Sequence, residues 1–274
     1  MIRLPNRAPL LKPAGFARIN PAHPLARHVM LAHFMYRRSY GDVGPTYVVL
    51  QDSSVYQLDS ISSTLNNLRQ GLYGNEVQSQ GFATIFDVAD AAPLRPTSGA
   101  ITIIARVKST ATGSRQWVCI KGNNPISYWL NVSDPNGTGD GCGFYNGGYF
   151  VSGKTRDIGG DNQWHVVAGT IKTNSGGATS DAAYYIDGRL DKLATGLAST
   201  MPANTDIFRV GFYAGDASTF KGSIESLVLL NIALTPAQVA ALSADLYSLI
   251  VPTRRMFFGS GSALVARPRI FVCT

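Results

Sequence analysis

Short apolar runs alternate with polar turn residues along the chain from about Val29 onward. The runs are rich in Val, Ile, Tyr, Phe and Thr, and clusters of Gly, Asn, Asp, Pro and Ser separate them, which is typical of β-strands joined by turns. Many short strands with frequent turns predict a sandwich or a barrel, and the lack of alternating long helices disfavours a parallel α/β fold. The predicted strands are Tyr47–Leu50, Phe82–Val88, Ile101–Lys108, Gln116–Lys121, Ser127–Val132, Gly143–Tyr145, Trp164–Ile171, Ala182–Ile186, Ile207–Tyr213 and Ser223–Asn231.

One helical pattern follows the last of these strands. Thr235 can cap a helix, and Pro236 suits the first helical position. Apolar residues then recur at spacings of three and four, namely Val239, Leu242, Leu246 and Leu249. The pattern predicts a helix over residues 236–249 that lays an apolar stripe on the sandwich and stops before Pro252. A weaker pattern predicts a second helix over Ser60–Arg69.

The net charge of +7 is unevenly distributed along the 274 residues. Residues 1–41 contain seven Lys or Arg and no acid, and the stretch from Leu246 to Thr274 contains four Arg and no acid, so the middle of the chain carries −4. Such asymmetry is typical of arms that bind an acidic partner. The sequence therefore predicts a basic N-terminal arm (1–28), a β-sandwich with its closing helix (29–249) and a basic C-terminal arm (250–274).

The two arms carry the cations that we expect to contact a partner. Five prolines between Pro5 and Pro24 prevent a long helix or a central strand in the N-terminal arm, which is expected to be extended. No aromatic-interleaved basic groove or nucleic-acid-binding motif accompanies the charge, so a protein partner is favoured over nucleic acid. The predicted contact residues are Arg3, Arg7, Lys12, Arg18, Arg27, Arg254, Arg255, Arg267 and Arg269.

Three segments resemble a known family when they are taken in order. They read GFATIFDV and PLRPTSGAITI within residues 81–103, QWHVVAGT and AYYIDGR within 163–189, and FKGSIESLVL and LTPAQVAAL within 220–242. They resemble laminin G-like domains of the concanavalin A-like lectin/glucanase superfamily. The resemblance implies an all-β, two-sheet β-sandwich (jelly roll) with one C-terminal helix, here flanked by the two extended arms. Tyr-Ile-Asp-Gly itself predicts a strand followed by a tight turn with positive φ.

The flanks resemble a narrower group. INPAHPLAR (19–27) and LSADLY (242–247), followed by Pro252, are similar to the ends of laminin G-like proteins encoded by tailed bacteriophages. This resemblance implies a non-enzymatic structural protein of the virion, such as a capsid decoration, a head fibre or a head–tail appendage. Its expected partners are capsid or head–tail proteins and further copies of itself, with a trimer as the expected homo-oligomer.

The three cysteines, Cys119, Cys142 and Cys273, have no regular spacing, which argues against a disulfide framework. The first residues lack the apolar core of a secretory signal, and no stretch reaches the length of a membrane span. We therefore expect synthesis in the cytoplasm of a bacterial host, assembly into the virion and no membrane partner.

Glycoside hydrolysis is the first enzymatic activity that the resemblance implies, because the superfamily contains glucanases. That chemistry needs two carboxylates around the scissile bond, whereas the chain has only Glu76 and Glu225, far apart in sequence. Residues Gly148–Thr155 match the P-loop pattern G-x-x-x-x-G-K-[ST], but turn residues and a strand follow where the motif requires a helix. The sequence therefore predicts no enzyme, with a glucanase-like hydrolase as the least favoured alternative.

Two binding functions remain open. The aromatic residues beside Gly/Asn-rich turns, Trp129, Tyr145, Tyr149 and Phe150, are candidates for stacking on a host surface glycan, against the alternative that they fill the core. No cofactor is expected, but calcium stays open because hard cations prefer loop oxygens. The calcium candidates are Asp52, Asp134, Asn136 and Asp140, and acidic residues in such turns also form Asx-turns.

Overall fold

The computed structural model describes residues 17–34, 40–42, 48–50, 54, 60–62, 68–71, 74–79, 86–96, 99–135, 140–213 and 218–252. In chain order the strands are β1 (Ala17–Ile19), β2 (Val29–Phe34), β3 (Tyr40–Asp42), β4 (Val48–Leu50), β5 (Ser60–Ser62), β6 (Leu68–Gly71), β7 (Gly74–Ser79), β8 (Phe86–Val88), β9 (Ala100–Ser109), β10 (Trp117–Gly122), β11 (Ile126–Asn131), β12 (Cys142–Tyr145), β13 (Tyr149–Val151), β14 (Trp164–Thr173), β15 (Ser180–Ile186), β16 (Arg189–Leu197), β17 (Phe208–Val210), β18 (Phe212–Tyr213), β19 (Ser218–Thr219), β20 (Gly222–Leu230) and β21 (Ile250–Pro252). The helix α1 is Pro236–Ala244, and short 3₁₀ turns lie at Ala26–His28, Ala92–Leu94 and Leu246–Leu249.

Two large sheets form the body. The front sheet has the spatial order β13-β12-β11-β10-β17-β8-β5-β4-β3, and the back sheet has the order β16-β15-β14-β9-β20-β7-β6, with β2 also paired to β20. The long neighbours in the back sheet run antiparallel: β14 pairs with β9 and β15, and β9 pairs with β20. Two antiparallel sheets packed face to face are the predicted β-sandwich, so the predicted fold class is confirmed.

The apolar side chains sort into three layers. The first cluster lies between the two sheets and takes Ile103 and Val107 from β9 and Tyr128 and Phe144 from the front sheet. A second cluster covers the outer face of the back sheet, where Ile104 of β9 meets α1. A third cluster lies on the outer face of the front sheet and is largely aromatic. The central strand β9 is buried on both faces, which is why its sequence AITIIARV is apolar at consecutive positions.

The helix begins as predicted and ends earlier than predicted. The Gln238 backbone N–H donates to the Thr235 hydroxyl at 3.3 Å, and the Thr235 N–H donates to the Gln238 side chain at 2.9 Å, which is a reciprocal capping box. The predicted helix over 236–249 is wrong beyond Ala244, because Asp245 leaves the helical backbone region at φ −151° and a 3₁₀ turn follows. The apolar stripe is confirmed, since Val239, Leu242, Leu246 and Leu249 all lie in the second cluster.

Two further local predictions have clear outcomes. Asp187 and Gly188 have φ values of 52° and 76° between the paired residues Ile186 and Arg189, so the predicted tight turn with positive φ is confirmed. The predicted helix over Ser60–Arg69 is wrong, because β5 and the start of β6 occupy both of its ends. Strand pairing overrides local helix propensity there.

The roots of the two arms lie side by side. Ala17 is the register partner of Pro252, and Ile19 is the partner of Ile250, in a two-stranded antiparallel ribbon. Ile19 and Ile250 are buried in the second cluster, so the ribbon packs on the outer side of the back sheet. Residues 17–28 and 250–252 of the predicted arms therefore contact the domain, whereas residues 1–16 and 253–274 lie outside the described residues.

Candidate functional site

The candidate site lies on the outer face of the front sheet, around the β12–β13 hairpin. Tyr149 is 47% exposed, more than any other aromatic side chain in the described part of the chain. The Tyr145 ring lies 5.1 Å from the Tyr149 ring at 61°, and the Trp129 ring lies 6.1 Å away at 72°. Such contacts between tilted rings restrain the orientation of the Tyr149 ring, and about half of the side chain remains exposed to solvent.

The side chains below Tyr149 are buried and packed against one another. Trp117 contacts both the Trp129 ring at 5.9 Å and the Tyr213 ring at 5.2 Å, and the two tryptophans are buried. These residues share the third cluster with Ile120 and Ile126. The cluster gives the exposed tyrosine a rigid aromatic support.

Strand alternation divides the four predicted glycan-binding aromatics between two faces. Tyr145 and Tyr149 lie on the outer face, as a stacking site requires. Trp129 is fully buried beneath Tyr149, so the prediction that it touches a sugar is wrong and its role is support. Phe150 points to the opposite face, where it stacks on Phe144 at 5.1 Å against the core between the sheets, so it cannot form part of the same surface.

Exposed asparagines lie in the two turns beside Tyr149, and they were not among the predicted site residues. Asn123 and Asn124 lie in the β10–β11 turn, and Asn146 lies in the β12–β13 turn. Both turns are at the same end because Ile126 and Tyr145 are register partners. The Asn146 side chain donates to the Ser199 hydroxyl at 3.1 Å, which fixes its orientation. The sequence could have indicated them, because all three asparagines stand in turns beside predicted strands.

Two of the calcium candidates lie close together, because the backbone N–H of Asp134 donates to the Asp140 carboxylate at 2.9 Å. Asp134 pairs with Arg115 at 3.2 Å, and Asp140 lies 3.4 Å from the Lys154 ammonium group. Asp52 and Asn136 lie outside the described residues. Within the described ranges, no group of three His, Cys, Asp or Glu side chains is arranged to hold a metal ion.

The P-loop match is occupied by a carboxylate of the protein itself. The backbone N–H of Thr155 donates to Asp191 at 2.6 Å, and that of Arg156 donates to Asp191 at 3.1 Å. Lys154 meanwhile contacts Asp157 at 3.0 Å, and no helix follows within residues 156–163. The loop therefore uses its amides to bind β16, not a phosphate.

Glu225 is placed far from the aromatic site. It is 2% exposed on the outer side of the back sheet, where it forms an ion pair with Arg106 and accepts a hydrogen bond from Tyr247 at 3.1 Å. The side chain of Glu76 lies outside the described part of the structure. Glu225 therefore has a structural role that joins β20, β9 and the 3₁₀ turn after α1.

Of the predicted arm residues, the structure describes Arg18 and Arg27, and both are exposed. Arg18 lies on the ribbon beside Val251. The other seven, Arg3, Arg7, Lys12, Arg254, Arg255, Arg267 and Arg269, lie outside the described residues. No helix in the described part of the chain combines the length and hydropathy of a membrane span.

Comparison with solved structures gives distant neighbours that share the fold. The binding domain of Paraclostridial Mosquitocidal Protein 1 superimposes with a TM-score of 0.59 at 11% identity, over 81% of this chain and 53% of that one, so this chain spans about half its length. Domain 4 of AbnA, a GH43 extracellular arabinanase from Geobacillus stearothermophilus in complex with arabinotriose, gives 0.53 at 15% identity, over 79% and 98%. Trypanosoma rangeli sialidase with the inhibitor DANA gives 0.52 at 15% identity, over 78% and 32%.

The sequence comparisons agree with the sandwich. No curated protein matches the chain. The family model of the concanavalin A-like lectin/glucanases superfamily, in its laminin G form, matches residues 83–240, which is more than half of the chain. This range contains the aromatic site and the strands β8 to β20 of the two sheets, whereas β1 to β7 lie before it. The chain therefore belongs to the concanavalin A-like lectin/glucanases superfamily.

Proposed function

We propose that the outer face of the front sheet binds a glycan at Tyr149. The observation that carries the proposal is a half-exposed tyrosine ring held edge-on by Tyr145 and by the buried Trp129. A ring fixed before binding loses little conformational entropy when a sugar stacks on it. Aromatic side chains with a few polar groups beside them are the usual lining of small-molecule sites, and Tyr149 with the asparagines of the two turns has that composition.

The chemistry of the rim favours an uncharged, hydroxyl-rich ligand. The exposed side-chain amides of Asn123 and Asn124 carry donors and an acceptor, which suits sugar hydroxyls. The amide nitrogen of Asn146 donates to Ser199 and Thr200, so this residue contributes its side-chain oxygen as an acceptor. Among the structural neighbours, domain 4 of AbnA is bound to arabinotriose, and a Botulinum neurotoxin DC binding domain is bound to SialylT (TM-score 0.56, 12% identity, 81% of this chain and 52% of that one). These neighbours support glycan binding as the function to test.

We propose a non-catalytic role for the domain. Hydrolysis of a glycosidic bond needs two carboxylates on either side of it. Glu225 is buried in an ion pair with Arg106 on the back sheet, away from Tyr149. A glycosidase assay of the double variant Glu225→Gln, Glu76→Gln checks this point: activity in the parent that disappears in the variant would establish a glucanase-like enzyme.

A glycan array probed with the full chain, with and without calcium, tests the binding proposal. Glycans that bind are then titrated against Tyr149→Ala, which we expect to weaken binding about tenfold or more because the stacking face is lost. Leu193→Ala is the matched control, since Leu193 is similarly exposed at 51% but lies on β16 of the back sheet. An array without hits in either condition overturns the proposal.

A second proposal places the domain on a bacteriophage particle as a structural component. Its support is that the two features lie on opposite outer faces of the sandwich. The ribbon from which both basic arms leave packs on the back sheet, whereas Tyr149 lies on the outer face of the front sheet. Anchoring on one side would leave the aromatic side free. Co-expression of the chain with the capsid or head–tail proteins that are its proposed partners tests this proposal. Assembly with those proteins that persists after deletion of residues 1–24 overturns the anchoring role of the N-terminal arm.

A further inference from the structure

The three exposed asparagines of the candidate site differ in the residue that follows each of them. Gly147 follows Asn146, Asn124 follows Asn123, and Pro125 follows Asn124. An asparagine loses its side-chain amide when the backbone nitrogen of the next residue attacks the side-chain carbonyl carbon. The residue that follows therefore decides how readily each of the three side chains reacts.

Gly147 offers the least hindered backbone nitrogen of the three following residues. It has no side chain to shield its N–H, it has φ 72°, and a Cβ atom added there would meet no atom within 4 Å. Pro125 has no N–H and cannot react in this way. Asn124 carries a side chain, and hydrogen bonds hold both the N–H and the carbonyl of Asn123 before it. Asn146 is therefore the asparagine of the site that is most open to this reaction.

The amide of Asn146 is also held against the segment that follows β16. Its nitrogen donates to the Ser199 hydroxyl at 3.1 Å and to the Thr200 carbonyl at 3.4 Å. This nitrogen is the leaving group of the reaction, so both hydrogen bonds must break before the amide is lost. Each is an ordinary hydrogen bond of modest net strength, so together they slow the reaction without preventing it.

We propose that Asn146 is a deamidation site and that its conversion weakens glycan binding at Tyr149. The Gly147 nitrogen bonds to Cγ of Asn146, its proton leaves with the amide as ammonia, and a succinimide ring closes. Water then opens the ring at either carbonyl, which gives aspartate or isoaspartate. The modification itself is independent of the proposed function, whereas its effect on binding rests on that function.

Both products disturb the hairpin that carries Tyr149. Aspartate has no N–H to donate, so the Thr200 carbonyl loses this donor and faces a negative charge instead. Isoaspartate adds a methylene group to the backbone between Tyr145 and Tyr149, which are register partners with rings 5.1 Å apart. A longer connection displaces the two rings relative to each other, so Tyr149 loses the contact that restrains it.

Peptide mapping by mass spectrometry tests the modification site. The full chain is aged at mildly alkaline pH and digested at acidic pH, and amide loss is followed at each asparagine. We expect Asn146 to lose its amide severalfold faster than Asn123, while Asn124 keeps its own. The map also separates Asn146 from the second Asn-Gly pair, Asn136–Gly137, which lies outside the described residues. Equal retention of the amide at Asn146 and Asn123 overturns the proposal.

Two variants test the structural control of the rate. Gly147→Ala should slow amide loss at Asn146, because a side chain now shields the attacking nitrogen. Ser199→Ala should speed it severalfold, because one of the two hydrogen bonds that hold the amide is removed. The matched control is Ser175→Ala, an exposed serine in the β14–β15 turn, which should leave the rate unchanged. An unchanged rate in Ser199→Ala overturns the role of that contact.

A glycan array tests the effect on binding separately. The uncharged glycans that bind the parent are titrated against Asn146→Asp, for which we expect a loss of affinity of about tenfold. The matched control is Gln163→Glu, an amide-to-acid change at an exposed residue outside the site, which should bind like the parent. Equal binding by Asn146→Asp and the parent overturns the effect on binding. An array without hits overturns the proposed function and this effect together, while the peptide map still decides the modification site.

Discussion

The hydroxyl group of Tyr247 donates a hydrogen bond to Oε1 of Glu225 at 3.1 Å. The other carboxylate oxygen of Glu225 pairs with the Arg106 guanidinium group, so one buried acid joins strand β20 to β9 and to the 3₁₀ turn after α1. Burial, followed by the charge of Glu225, raises the pKa of Tyr247 well above its usual range. The tyrosine is therefore a hydrogen-bond donor at any ordinary pH.

Replacing Glu225 with Gln tests this junction. The variant keeps the size of the side chain but leaves Arg106 without its counter-charge, and we expect a loss of about 1–3 kcal/mol in the free energy of unfolding, measured by urea titration. The loss is moderate for a buried pair because Arg106 still reaches solvent. Tyr247→Phe removes one hydrogen bond and costs about 1 kcal/mol. An unchanged urea midpoint in Glu225→Gln would contradict the junction.

Two glycines of the β12–β13 hairpin should differ strongly in how much stability is lost when each is replaced by alanine. A Cβ atom at Gly143 would lie 2.9 Å from the Trp129 ring and even closer to the Phe150 carbonyl oxygen, whereas one at Gly148 would lie 3.7 Å from the nearest atom of the Phe150 ring. We expect Gly143→Ala to cost about 1–3 kcal/mol by overpacking. Gly148→Ala should stay within about 0.5 kcal/mol of the parent. Thermal unfolding measures both variants, and equal melting temperatures would show that the hairpin is less tightly packed.

Acid sensitivity is expected at Asp90. Hydrogen bonds from Arg95 and from the fully buried Lys121 lower the pKa of Asp90 in the folded chain. A carboxyl group with a depressed folded pKa stabilises the fold above its unfolded pKa of about 3.9, and this contribution is lost as the pH falls through the folded value. The unfolding free energy of the parent should therefore fall more steeply below about pH 4 than that of Asp90→Asn. Parallel curves for the two proteins would refute the assignment.

The two described cysteines should be unreactive in the native state. Both are fully buried; burial raises the pKa of Cys142 to about 12, and the pKa of Cys119 rises in the same direction for the same reason. Because the thiolate is the reactive form, a Cys273→Ser chain should react with Ellman's reagent only after denaturation. Rapid native labelling of either thiol would show that the sandwich opens locally.

The strands that the sequence predicted best are those with apolar residues on at least one complete face. Trp164–Ile171 lies within β14, and Ile101–Lys108 lies within β9. The strand β16 escaped prediction because it is the edge of the back sheet, and its sequence RLDKLATGL is mostly exposed. An edge strand needs no apolar alternation, so its pairing is set by its neighbour β15.

The aromatic residues show why the candidate site was only partly predictable. Period-two alternation places Tyr149 and Phe150 on opposite faces, but local sequence does not say which face is covered. Trp129 is buried on an outer face, where Trp117 packs against it and Tyr213 packs against Trp117. Tyr213 is more than eighty residues away from Trp129 in sequence. Trp164 likewise lies half-buried on the outer side of the back sheet, with Arg106 and Lys108 over its ring at 5.1 and 5.4 Å.

The pairing of Ala17 with Pro252 also makes the domain easy to transplant. A host polypeptide could enter at the first residue and leave at the second without spanning any distance, so the sandwich should tolerate grafting into a surface loop of another protein. For the same reason a short linker between these positions would allow new chain termini to be opened in an exposed turn, such as the one at Gly176 and Gly177, where a side chain added at either glycine would point into open space.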